Sequence, residues 1–154
     1  DSWGLIYVLT LTEIKIIFKQ NFSNLTVTME DKINSNYKRG LALEEQYKFK
    51  LAIQKYLLAS KQGSAEAEYR LGQIYDRDGH SPNTQVSLHW YEESAKKKYP
   101  PALYALGVIY ANGVYVKKNI RKAYKLFSLC KRYAKKNSFF YLNSLFYRSI
   151  LLRK

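Results

Sequence analysis

The chain has 154 residues and a formal net charge of +14, from 26 Lys and Arg against 12 Asp and Glu. A chain of this length buries about 68–70% of its unfolded surface, enough for one domain with its own core. One Cys and two His exclude an intramolecular disulfide and a Cys/His zinc centre.

Residues 1–28 differ from the rest. From Gly4 to Phe18, apolar and β-branched residues alternate in a strand-like way, with Glu13 and Lys15 among them. The stretch is too short and too charged to span a membrane, and it lacks the basic start and small-residue cleavage site of a signal peptide. The one Met, Met29, directly precedes Glu30-Asp31-Lys32. Residues 1–28 are therefore expected to be a leader or a non-native or disordered extension, with a genuine strand or an apolar docking segment as alternatives. Asn21-Phe22-Ser23 and Asn24-Leu25-Thr26 fit glycosylation acceptors, which matters only for a secreted chain.

Residues 29–154 are expected to form a helical repeat domain. Helices are predicted near 30–44, 47–62, 65–77, 84–98, 101–112, 119–135 and 138–150. They pair as hairpins over about 30–62, 65–98 and 101–135, followed by a terminal helix. Gly63-Ser64, Asp78 to Asn83, Pro100-Pro101 and Asn112-Gly113 punctuate them. Ala67-x3-Leu71-Gly72-x2-Tyr75 recurs as Ala102-x3-Leu106-Gly107-x2-Tyr110, a shift of 35 residues (102 − 67 = 35). Ala52-x3-Tyr56-x2-Ala59, Ser87-x3-Tyr91-x2-Ser94 and Ala123-x3-Phe127-x2-Cys130 recur in the same way. Ser138-x3-Leu142-Asn143-x2-Phe146 repeats the first pattern with Asn in place of Gly.

A fixed period of this length marks stacked helical hairpins. Small residues at Ala52, Gly72, Ser87, Gly107 and Ala123 would let two helix axes approach. A helical Gly costs about 1 kcal/mol relative to Ala, so two at equivalent places imply a packing reason. Large residues at three- and four-residue spacing fill the layers. The pattern A-x3-L-G-x2-Y, then G-x2-V, then K-A-x3-[YF]-x2-A resembles the Sel-one-like repeats, kin of the tetratricopeptide repeats, over roughly residues 30 to 147. Tyr115 and Asn119 depart from its loop, which usually carries Gly and Asp at those places. The resemblance implies an all-α solenoid of about three hairpins plus a terminal helix, a scaffold for binding other proteins, and no chemistry. Some members serve as accessory or regulatory subunits of enzyme complexes.

Charge is uneven. From Ser94 to Lys154 there are 15 Lys or Arg and no Asp or Glu, so residues 1–93 hold 11 basic (26 − 15) and 12 acidic side chains. On a helix, Lys118, Arg121, Lys122, Lys125, Arg132 and Lys136 are predicted to fall largely on one face over residues 117–136, opposite Ile120, Ala123, Phe127, Cys130 and Ala134. Such a face suits an acidic protein segment, with RNA or an anionic membrane surface as alternatives. Tyr69 and Tyr104 are the aromatic candidates for a binding groove. The terminal helix is apolar on most sides, which fits a piece of a longer array or a helix that docks on something. His80, His89, Cys130 and the carboxylates form no catalytic or metal-binding pattern, and no phosphate-binding loop or nucleophile elbow occurs. No enzyme activity, cofactor or small-molecule substrate is expected. The single Cys and the weak leader favour the cytoplasm.

Overall fold

The computed structural model describes residues 11–77 and 83–153. Among them are seven α-helices and no strand: α1 (Leu11–Glu45), α2 (Phe49–Lys61), α3 (Ala65–Arg77), α4 (Thr84–Lys96), α5 (Pro100–Asn112), α6 (Ile120–Tyr133) and α7 (Phe139–Leu152). His80 and Pro82 lie outside the described residues.

Most starts have a local cause. Ser64 Oγ accepts the Ala67 N–H at 3.1 Å and opens α3. Asn83, Asn119 and Ser138 accept N–H bonds from Val86, Lys122 and Tyr141 at the starts of α4, α6 and α7. These satisfy amides that the first helical turn leaves unpaired. Asn119, which departs from the resembled motif, thus does the work an Asp would do there. Pro100 and Pro101 open α5, where a missing N–H costs nothing. Between hairpins, Gly63 turns the chain at φ +100° and Lys98, 35 residues later (98 − 63 = 35), at φ +63°. The left-handed region suits Gly, so at Lys98 packing of the repeat imposes the turn on a side chain.

α1 corrects two expectations. It is one helix from Leu11, whereas the sequence suggested a helix from about residue 30 and a strand-like alternation over residues 4–18. Residues 11–18 are helical; residues 4–10 lie outside the described residues. Leu11, Ile14, Phe18, Phe22, Leu25, Met29, Ile33 and Tyr37 recur every three or four residues, a helical period beneath the local alternation. A helix satisfies its own backbone, whereas a strand needs a neighbour, and none is present among the described residues.

The helices pack in chain order. Close antiparallel pairs form between α1 and α2, α3 and α4, and α5 and α6; each pair leans on the next, and α7 rests on α6 and α5. One device recurs in all three pairs: an aromatic ring of the second helix lies flat against a Gly of the first. Tyr56 covers Gly40, Tyr91 covers Gly72 and Phe127 covers Gly107. A Cβ at Gly72 would meet the Tyr91 ring at 2.6 Å, and one at Gly107 would meet the Phe127 ring at 2.7 Å. Each ring is bracketed by buried small residues: Ala52 and Ala59, Ser87 and Ser94, Ala123 and Cys130. Three of these also satisfy backbone. Ser87 Oγ donates to the Gly72 carbonyl at 2.9 Å. Ser94 Oγ donates to the Ala65 carbonyl at 2.7 Å, and Cys130 Sγ approaches the Pro100 carbonyl at 3.2 Å, the equivalent place one repeat later. Ala67, Leu71 and Ile74 complete the first core, and Leu106, Ile109 and Tyr110 the second. Tyr75 lies half-buried against the first, and Ala102 is fully buried at its place in α5.

Candidate interaction surface

α6 is amphipathic because its apolar residues recur at helical spacing. Ala123, Phe127 and Cys130 point into the core, while Arg121, Lys122, Lys125 and Arg132 are exposed. The basic face is shorter than the sequence suggested. Lys118 precedes α6 and Lys136 follows its last turn, so both belong to flanking loops. Lys122 is turned aside: its Nζ lies 3.8 Å from the Tyr110 ring centroid, bonds the Tyr110 hydroxyl, and reaches Glu92 at 4.0 Å. Arg121, Lys125 and Arg132 remain outward, and among the described residues no carboxylate pairs with them.

The run Lys96-Lys97-Lys98 is also engaged internally. Lys96 pairs with Glu93, Lys97 reaches the buried Glu68 at 2.7 Å, and Lys98 sits 5.3 Å from the Tyr133 ring centroid. Glu68 also accepts a bond from Ser60 Oγ, so it ties α2, α3 and the end of α4 together. Lys96 Nζ holds the Glu93 carboxyl below the ordinary carboxylate range.

Beside the outer side of α6 lies an apolar groove of about 330 Å³, lined by Ile120, Arg121, Tyr124, Lys125, Leu151 and Leu152. Arg148 of α7 anchors its wall: its guanidinium stacks 5.1 Å from the Tyr124 ring centroid and donates to the Tyr124 hydroxyl at 3.0 Å. Apolar floor and cationic rim therefore come from two adjacent helices.

The two candidate tyrosines are used mainly in packing. Tyr104 has four ring neighbours, Phe127, Phe139, Phe140 and Tyr147, with centroids 5.7–5.9 Å away. Burial pushes its phenol up to about 12. Tyr69 lies against Tyr91 and Tyr99, both at 5.7 Å, and its hydroxyl accepts a bond from Gln73. The ring that closes α1 on α2 is more deeply committed: Tyr56 donates to Glu44 at 2.8 Å, and burial with the Glu44 carboxylate raises its phenol pKa strongly. Tyr91 is raised by burial and by the charge of Asp76. Burial also raises the Cys130 thiol. Glu44 and Asp76 thus hold tyrosines and Glu68 holds a lysine, and His89 is an exposed neighbour of Trp90. Among the described residues, no three His, Cys, Asp or Glu side chains could hold a metal ion, and no helix is long and apolar enough to cross a membrane.

Antiparallel hairpins, one ring-on-glycine contact in each and a period of 35 define an α-helical repeat array of the solenoid class. Within it, residues 65–99 and 100–129 match the Sel1 repeat family model, so the chain carries two adjacent Sel1 repeats. These repeats generally build scaffolds for protein contacts. Among solved structures, a Sel1 repeat protein from Oxalobacter formigenes is similar with a TM-score of 0.62 and 21% identity, over 81% of this chain and 56% of that one. At that identity the likeness concerns the fold. No curated protein matches the chain.

Proposed function

We propose that the chain is a non-catalytic interaction scaffold that holds an acidic segment of another protein against the outer side of α6. The observation that carries this reading is the meeting of cationic rim and apolar floor, with Arg121 and Lys125 beside Tyr124, Leu151 and Leu152. Charge alone would attract any polyanion, so an apolar floor is what favours a peptide with both acidic and apolar side chains. No Asp or Glu follows Glu93, so α6 and α7 carry no carboxylate of their own to offset that rim.

The test uses a labelled peptide of alternating Glu and Leu, with RNA and phosphatidylserine vesicles as rivals. Arg121→Glu with Lys125→Glu should leave the helical spectrum unchanged, because both side chains are exposed. It should weaken peptide binding by about tenfold or more, the scale of one or two lost charge-assisted contacts. Binding that is unchanged by the charge reversal would refute the assignment. Binding of RNA or vesicles in preference to the peptide, abolished by moderate salt, would replace it with a purely electrostatic surface.

A further inference from the structure

The end of α1 breaks two local rules at one place. Tyr47 ends the helix at φ +57°, with its N–H on the Glu44 carbonyl at 2.9 Å and the Lys48 N–H on the Leu43 carbonyl at 2.9 Å. Gly63 makes the same pair of bonds after α2, and Gly is the residue that this left-handed turn favours. Lys98 also breaks the rule, but its ammonium gains the Tyr133 ring. Tyr47 is 82% exposed, so its ring adds little to the core. The second rule concerns charge. A helix C-terminus favours cations, and α2, α4 and α6 carry Lys or Arg in their last turn. α1 has none there and ends on Glu44-Glu45 instead. Glu44 is engaged by the Tyr56 hydroxyl and by Arg70 at 3.8 Å. Glu45 is exposed, and no ion pair reaches it among the described residues. Lys48, close by in the chain, turns its Nζ to Gln46 instead.

Both irregular residues line one cavity of about 250 Å³, together with Leu41, Glu44, Phe49 and Arg70. We propose that this cavity takes the cationic side chain of a Lys or Arg from a partner protein. The Tyr47 and Phe49 rings stand 6.2 Å apart at 78°, so they give the cavity two aromatic walls at nearly a right angle. Aromatic faces attract a cation within about 6 Å, and Glu45 supplies the opposite charge. Leu41 offers apolar surface to the methylene stem. Two carboxylates against one guanidinium leave the lining negative, in a chain whose formal net charge is +14. That guanidinium is committed, since Arg70 is bonded to Tyr37 and Gln73 as well as paired with Glu44. A seated cation accounts for both irregularities. It neutralises the end of α1, and the left-handed turn holds a ring where Gly would leave an open side. The cavity is framed by α1, α2 and α3 and is separate from the α6 groove, and only the choice of a protein ligand rests on the scaffold reading.

The experiment is a nuclear magnetic resonance titration of the full chain, at moderate salt, with three end-blocked peptides: Gly-Lys-Gly, Gly-Arg-Gly and Gly-norleucine-Gly. The Lys and Arg peptides should move the ring signals of Tyr47 and Phe49. They should bind about threefold or more tightly than the norleucine peptide, the scale of one exposed cation–π contact. Glu45→Gln should weaken both cationic peptides by about threefold and leave the far-ultraviolet spectrum unchanged. Tyr47→Gly separates binding from folding. It should abolish the preference for the cationic peptides without lowering the melting temperature, because Gly relieves the left-handed strain. Arg121→Glu with Lys125→Glu should leave these peptides bound, so the cavity and the α6 groove fail or hold separately. Equal binding of all three peptides overturns the inference, as does binding of the cationic pair that Glu45→Gln leaves unchanged. A Tyr47→Gly protein that melts several degrees lower also overturns it, since the ring would then belong to the fold. Tetramethylammonium that displaces the Lys peptide and binds more tightly would remove the protein source and assign the cavity to a free organic cation.

Discussion

Gly107→Ala tests the ring-on-glycine contact most directly, because helix propensity and packing push in opposite directions. Removing a Gly from a helix interior should stabilise by about 1 kcal/mol. Here the new Cβ would lie 2.7 Å from the Phe127 ring, well inside contact distance. The ring cannot swing away freely: it is fully buried, stacked on Tyr147 at 4.8 Å and 11°, and edged by Tyr104 at 5.8 Å. Overpacking of this kind costs about 1–3 kcal/mol. The net effect is a loss of about 0–2 kcal/mol, and each kcal/mol lost lowers the melting temperature by about 2–4 °C in a domain of this size. The sign should reverse once the ring is removed. In a Phe127→Leu background, Gly107→Ala should stabilise by up to about 1 kcal/mol, so the pair should couple by about 1–3 kcal/mol. Thermal and urea melts followed by circular dichroism measure all four proteins. A Gly107→Ala protein that melts higher than the parent would refute the contact, as would equal effects in both backgrounds. Gly72→Ala against Tyr91 should behave in the same way.

Tyr115 holds φ +64° and donates to Asp76 at 2.7 Å across an exposed loop. Tyr115→Gly should be within about 1 kcal/mol of the parent, since relief of left-handed strain offsets the lost bond, whereas Tyr115→Val should be less stable than the Gly variant by about 1–2 kcal/mol; the reverse order in urea melts would contradict this. Tyr99 and Tyr104 are pushed up to about 12 from an ordinary 10, chiefly by burial, and Tyr56 and Tyr91 are raised further. The folded state thus keeps phenol protons that the unfolded chain releases, so this contribution is full below about pH 10 and lost as pH rises toward 12 and beyond. Urea midpoints should fall over that range together with a rise in tyrosinate absorbance, and a flat midpoint would be inconsistent. Cys130 is fully buried and its thiol is raised, so a thiol reagent should label it slowly in the folded protein and at once in urea.

The repeat could be read from residues alone because its contacts are written into side-chain size at short range. Gly72 and Gly107 beneath a ring, and Ala52, Ser87 and Ala123 beside one, leave a periodic trace of small and large residues. Every hairpin must solve the same packing problem. Helix ends were legible for a similar reason, since Asn119, Ser138 and Pro101 act within one turn. The long α1 was harder to read, because β-branched alternation over a few residues hid a helical spacing that emerges only over about thirty. What tertiary structure decided was the fate of each polar and aromatic side chain. Lys122 and Lys97 look alike in sequence to Lys125, yet one is drawn to Tyr110 and Glu92 and another to Glu68. Tyr104 looks like a binding residue until α7 adds three rings to that of Phe127 around it. Leu142 and Phe146 carry the same motif as Leu106 and Tyr110, but those two are buried in the core with Tyr91 of α4 and Phe127 of α6, whereas α7 leaves Leu142 and Phe146 exposed. A side chain's type is set by the chain, but its availability depends on what lies across it, and in a stacked array that is supplied by residues twenty to forty positions away.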